Sequence, residues 1–125
     1  MSFENFLGIS KLIIADKSAV FWAWNKKDGL NLMGIYYCDL ESKQIRPIHI
    51  GFGVNLFNVY INMVFICTEN GIFSYNLNTG EEIVLCDIAA ETCYIVDETW
   101  LYFVGTDNKL YKVLQAGGEC KFVYG

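Results

Sequence analysis

With 125 residues, 54% hydrophobic and 18% charged, the chain has ample apolar surface for the core of one domain and too little charge for disorder. A net charge of −5 and a pI near 4.7 argue against a nucleic-acid ligand, which selects a basic surface. No run approaches the 18 or so apolar residues of a spanning helix, so a membrane role is not expected.

The first fourteen residues carry Glu4 early and Lys11 late, the reverse of a secretory leader. Five cysteines, an odd number without a C-x-x-C pair, fit free thiols in a reducing cytoplasm. Only Ser2 to Gly8 and the connection Asp87 to Thr92 have the makings of a helical turn. The rest alternates short apolar runs with Asn, Asp, Gly, Glu and Thr, the pattern of strands and turns. Strands are expected at Leu12 to Ala15, Ala19 to Trp24, Met33 to Asp39 and Ile45 to Ile50. Four more follow at Asn55 to Tyr60, Met63 to Cys67, Ile72 to Asn76 and Ile83 to Cys86, with Asn70-Gly71 read as a two-residue hairpin turn. The last four are Thr92 to Val96, Trp100 to Val104, Lys109 to Val113 and Lys121 to Tyr124.

These strands repeat. A shift of 38 residues lays Thr68-Glu69-Asn70 on Thr106-Asp107-Asn108, Ile72-Phe73 on Leu110-Tyr111 and Met63 to Ile66 on Leu101 to Val104, without a gap. A shift of 37 lays Ile35 to Leu40 on Ile72 to Leu77, and one of 44 lays Val20-Phe21 on Val64-Phe65. The difference of 7 marks an insertion around Asn25 to Met33. The second strand of units two and three is apolar at every position, as in a sheet covered on both faces.

Four antiparallel strands repeated at about 40 residues resemble the blades of a β-propeller. The segments Phe73 to Glu81 and Leu101 to Tyr111 are the most blade-like. The resemblance implies an all-β domain over residues 1–125 with three four-stranded antiparallel repeats, about 11–50, 51–87 and 88–125, a partial propeller. A β-sandwich or small barrel is the competing architecture.

Catalytic signatures are sparse. His49 is the single histidine and sits in an expected outer strand, no G-x-S-x-G surrounds a serine, and the cysteine spacings do not pair as zinc ligands. Gly51-Phe52-Gly53 reads as a link between repeats rather than a phosphate cradle. No catalytic residue, metal or cofactor is expected, and the chain is read as a non-enzyme.

Charge is the sharpest remaining signal. Residues 47–108 hold eight acids and no Lys or Arg, whereas the segments on either side carry a slight basic excess. Because strand direction alternates, the first and last turns of a blade share one end, which would bring Glu81-Glu82 toward Asp97-Glu98, with Trp100 beside them. A field this polarised steers a basic partner. The expected function is therefore protein binding, most concretely an inhibitor of the immunity or antitoxin kind whose acidic face (Glu81, Glu82, Asp97, Glu98 and Trp100) blocks a basic toxin such as a nuclease. The alternative is a half-propeller that homodimerises into a closed six-bladed scaffold, or a small-ligand binder using its aromatics.

Overall fold

A computed structural model describes residues 6–15, 17–27, 30–50, 54–95 and 99–125. The linker Gly51-Phe52-Gly53 lies outside them. The chain forms two compact units, Met1–Phe52 and Gly53–Gly125. The first is one antiparallel sheet of four strands in sequence order: β1 (Phe6–Ala15), β2 (Ser18–Lys27), β3 (Leu30–Asp39) and β4 (Ile45–Ile50). The second holds two such sheets, β5 (Val54–Tyr60), β6 (Met63–Thr68), β7 (Gly71–Asn76) and β8 (Glu82–Cys86), then β9 (Ala90–Ile95), β10 (Trp100–Gly105), β11 (Leu110–Leu114) and β12 (Lys121–Tyr124). Each expected strand is present. The described part of each expected helical turn is extended instead: Phe6 to Gly8 runs in β1 and Ala90 to Thr92 in β9, where pairing with the next strand satisfies a backbone too short to hold a helix alone, while Ser2 to Asn5 lie outside the described residues.

Hydrogen bonds between turns fix which residues are equivalent. The Leu40 amide donates to the Lys17 carbonyl (2.9 Å), Leu77 to Asn62 (2.8 Å) and Gln115 to Thr99 (2.9 Å), so in every sheet the first and last turns share one end. Leu40, Leu77 and Gln115 stand 37 and 38 residues apart, as the repeat predicts. Lys17, Asn62 and Thr99 stand 45 and 37 apart rather than 44 and 38. Both corrections have a cause in the hairpins. The β2–β3 ladder has ten pairs against six in β6–β7, so the first insertion is four rungs, eight residues rather than seven. A two-residue turn, Glu69-Asn70, joins β6 to β7, whereas four residues, Thr106 to Lys109, join β10 to β11, and three of them, Thr106 to Asn108, lie beyond Gly105 and Lys109, which face each other. The Gly105 amide closes that longer loop on the Lys109 carbonyl at 3.0 Å, with Asn108 left-handed at φ 64°. The repeat therefore has a one-residue gap, and Met63 is equivalent to Trp100, not to Leu101. Nor is Gly71 a central turn residue: it opens β7 at φ 131°, where a Cβ would stand 2.1 Å from the Cys86 carbonyl oxygen.

Within the second unit, β9 lies against β5 and β6, and β11 reaches β8. The core between the two sheets joins Phe65, Cys67, Ile72, Leu85 and Cys86 of one to Cys93, Leu101, Phe103 and Val113 of the other. Val64, Phe65, Ile66 and Cys67 are all fully buried, so β6 is covered on both faces as its composition predicts. Strand β10 differs: Leu101 and Phe103 are fully buried, while Trp100, Tyr102 and Val104 are half-exposed. Its apolar second face has no sheet of the same unit over it.

Candidate partner-binding surface

The end of each blade that carries the first and last turns is built by side chains that cap backbone amides. At the end of β3, the Asp39 carboxylate accepts from the Glu41 and Ser42 amides at 2.9 and 3.2 Å. Asn76, its equivalent in β7, accepts from Asn78 and Thr79 at 2.8 and 3.1 Å. A short acceptor at this position satisfies turn amides that no strand can reach. Each turn closes on a left-handed residue, Lys43 at φ 61° and Gly80 at φ 75°. The third blade has Leu114 in place of the cap and relies on Gly117, whose amide donates to the Leu114 carbonyl at 2.9 Å.

Glu81 and Glu82 emerge from this construction. The Glu81 amide donates to the Thr79 hydroxyl (3.2 Å) and its carbonyl accepts from the Asn76 amide (2.9 Å), so the side chain is left to solvent. Glu82 begins β8 opposite Tyr75 and is also exposed. Asp97 and Glu98 lie outside the described residues. Glu69, Asp87, Glu91 and Asp107 of the base-free stretch are exposed too. An ion pair joins Lys17 to Glu41 at 2.8 Å in the first unit, but among the described residues none neutralises Glu69, Glu81, Glu82, Asp87 or Glu91. Asp107 is engaged otherwise: it accepts from the Lys109 amide (3.1 Å) and from the Tyr111 hydroxyl (2.5 Å). The Tyr111 bond chiefly holds its carboxyl below the usual range, and in return lifts the phenol above its own.

Trp100 belongs to a different surface. Its ring lies under the ammonium groups of Lys112 and Lys121, 4.4 and 5.5 Å from the centroid. Pairing places Trp100, Tyr102, Val104, Leu110, Lys112 and Leu114 on one face of the third sheet, opposite the face that Leu101 and Phe103 bury against the second. Trp100 thus stands with two lysines on a face of the third sheet, whereas Glu81 and Glu82 belong to the last turn and last strand of the second. Sequence reading missed the face because its members are spread over two strands whose register depends on the three-residue turn. It also missed Ile61, a β-branched residue at φ 55° on the β5–β6 turn and 69% exposed, a conformation such residues rarely take.

Among the described residues, groups that carry chemistry elsewhere are not brought together as metal ligands. His49 is half-buried in β4, the edge of its sheet. Among the described residues no three His, Cys, Asp or Glu side chains gather as metal ligands. All five cysteines are free, four of them buried. Burial, then the Asp39 carboxylate, raises the Cys38 thiol. Burial, then the Cys86 thiol and the Asp87 carboxylate, pushes Cys120 up to about 12.

Comparison with solved structures decides between the architectures left open by the sequence. The chain is similar to the N-terminal domain of Nup159, with a TM-score of 0.61 at 13% identity over 93% of this chain and 30% of that one. It is similar also to a chain from an S. cerevisiae complex of dbp5 with nup159, gle1, IP6 and ADP, with a TM-score of 0.62 at 14% identity over 91% of this chain and 29% of the other. The fold is that of β-propeller blades. The chain spans under a third of the length of these structures, and at such identity the likeness shows the fold alone. No family model and no curated protein matches the sequence.

Proposed function

We propose that this chain is a non-enzymatic protein-binding module of the cytoplasm that recognises a basic protein through its acidic turn end. The observation that carries this reading is the stretch from residue 47 to 108, which has no Lys or Arg and whose described acids are all exposed, five of them without a neutralising partner. An uncompensated charge of this kind raises the encounter rate with an oppositely charged surface and is screened by salt. A propeller end, where several turns converge on one surface, suits such docking. On this reading Glu81, Glu82, Asp97 and Glu98 are the acids that contact the partner, most concretely a basic toxin such as a nuclease that the module inhibits.

The test is kinetic. A basic protein retained by the immobilised chain at low salt is purified, and its association rate is measured with wild type and with Glu81→Lys plus Asp97→Lys. The double variant should associate at least about tenfold more slowly, with a flatter salt dependence and an unchanged melting temperature. Equal association rates in the two proteins would refute the reading.

A further inference from the structure

Two of the five cysteines meet across the seam between the second and third blades. Cys86 ends β8, and its Sγ lies 4.0 Å from the carbonyl oxygen of Ile88, in the connection to β9. Cys120 comes from the other blade, as the last residue of the connection 115–120 between β11 and β12. Gly117 and Gly118 turn that connection at φ 93° and 141°. A Cβ at Gly117 would stand 3.7 Å from the Ile83 side chain and 3.8 Å from that of Leu85, so the loop is seated on β8. This seating carries Cys120 onto the core cluster that contains Cys86, and the two thiols are hydrogen-bonded to each other.

Burial sets the pair apart from the other thiols. Cys38, Cys67 and Cys93 lie within strands and are at most 2% exposed. Cys120 is half-buried, the one cysteine of the five that solvent reaches, and it touches Cys86. The segment that must give for the sulfurs to bond is a loop rather than a strand, and its Ala116, Gly118 and Glu119 are exposed.

We infer that Cys86 and Cys120 are a reversible disulfide site, closed by exchange with a small disulfide of the glutathione type and reopened by the corresponding thiol. Cys120, as thiolate, attacks one sulfur of the small disulfide, forms a mixed disulfide and expels one thiolate. Cys86, deprotonated in turn, attacks the Cys120 sulfur and expels the second. The two cysteine sulfurs together lose two electrons and two protons, and the small disulfide gains both to become two thiols. Because the Cys120 thiol is pushed up to about 12, the first attack is slow at neutral pH. Surroundings rich in thiols keep the pair open; a rise in small disulfides closes it and ties the last strand of the second blade to the last loop of the third. None of the acids assigned to partner binding takes part, so this inference and that reading can fail separately.

The whole chain, held in oxidised glutathione at pH 9 until its mass no longer changes, tests the site. After an acid quench it is digested without reduction by a protease that cuts after glutamate, which isolates Cys86 in Ile83–Glu91 and Cys120 in Cys120–Gly125, apart from Cys67 and Cys93. The expected product is a monomer two hydrogens lighter, with these two peptides linked and no glutathione retained. Closing a loop of about 35 residues should raise the urea midpoint by about 2 M, and dithiothreitol should reverse the rise. Cys86→Ala should instead keep one glutathione on Cys120, because the second thiol is gone. A wild-type chain that keeps both thiols overturns the inference. So does one that holds glutathione on Cys120 without closing, or that links either cysteine to a different one.

Discussion

Gly71 and Gly80 both have positive φ, yet alanine should affect them very differently. At Gly80, φ is 75° and the nearest atom to an added Cβ is the Tyr75 hydroxyl at 3.5 Å, so there is room. Alanine there costs about 1–2 kcal/mol for the left-handed conformation, offset by about 0.4–1 kcal/mol from a less flexible unfolded chain. The net loss is about 1 kcal/mol or less. At Gly71, φ is 131° and the added Cβ would lie 2.1 Å from the Cys86 carbonyl oxygen and 3.0 Å from the Asp87 Cα, both backbone atoms. The Ile72–Cys86 pair that begins the β7–β8 ladder must then separate. A disallowed φ at about 1–3 kcal/mol, plus a ladder hydrogen bond at about 1 kcal/mol, gives a loss of about 3 kcal/mol. With a urea slope of about 1.5 kcal/mol/M, the midpoint should fall by about 2 M for Gly71→Ala and by about 0.5 M for Gly80→Ala. Equal shifts would mean that the close approach of Cys86 is not what requires glycine at 71, and the placement of β8 would have to be reconsidered.

Two further predictions concern titrating groups. Cys120 pushed up to about 12 should be about a thousandfold slower than a free thiol toward iodoacetamide at pH 8, because the thiolate is the reacting species. Cys86→Ala should speed its labelling without restoring the full rate, since burial is the larger cause; peptide mapping that finds native Cys120 alkylated at the free-thiol rate would contradict this. Asp107 is held below its ordinary 3.8 chiefly by the Tyr111 hydroxyl, so it favours folding above that value and loses the contribution as pH falls through its folded pKa. Tyr111, raised above 10.0, favours folding below that pH and loses its contribution as pH rises through its own folded value. Tyr111→Phe should move the Asp107 titration, followed by NMR, upward toward 3.8; an unmoved titration would show that the hydroxyl is not the cause.

The blade order and the strand positions were legible because each depends on local pattern. Apolar runs, polar turns and the recurrence of Asp39 at Asn76 survive an error of one residue, and the last of these has a physical reason in the paired amides each side chain caps. Which face a residue occupies does not survive such an error, because strand side chains alternate and a one-residue slip exchanges the two faces. The gapless shift of 38 put Leu101 on Met63 and would have given the half-exposed face of the third blade to Leu101 and Phe103. The extra turn residue among Thr106 to Asn108 restores the parity and gives that face to Trp100 and Tyr102. Nothing in β10 alone reveals this, since Trp100 to Val104 is apolar throughout. The discriminating signal sits in β11, where Lys112 stands between Tyr111 and Val113: an ammonium is expensive to bury between sheets, so its face must be the one left to solvent. Because Tyr102 pairs with Lys112, that single charge assigns the aromatic face of β10 as well. The same argument explains why Trp100 reads as part of an acidic site in one dimension and lies beneath two lysines in three. Its neighbours in sequence are the acids Asp97 and Glu98, but the lysines over its ring come from strands that begin ten and more residues later, where the base-free stretch has ended.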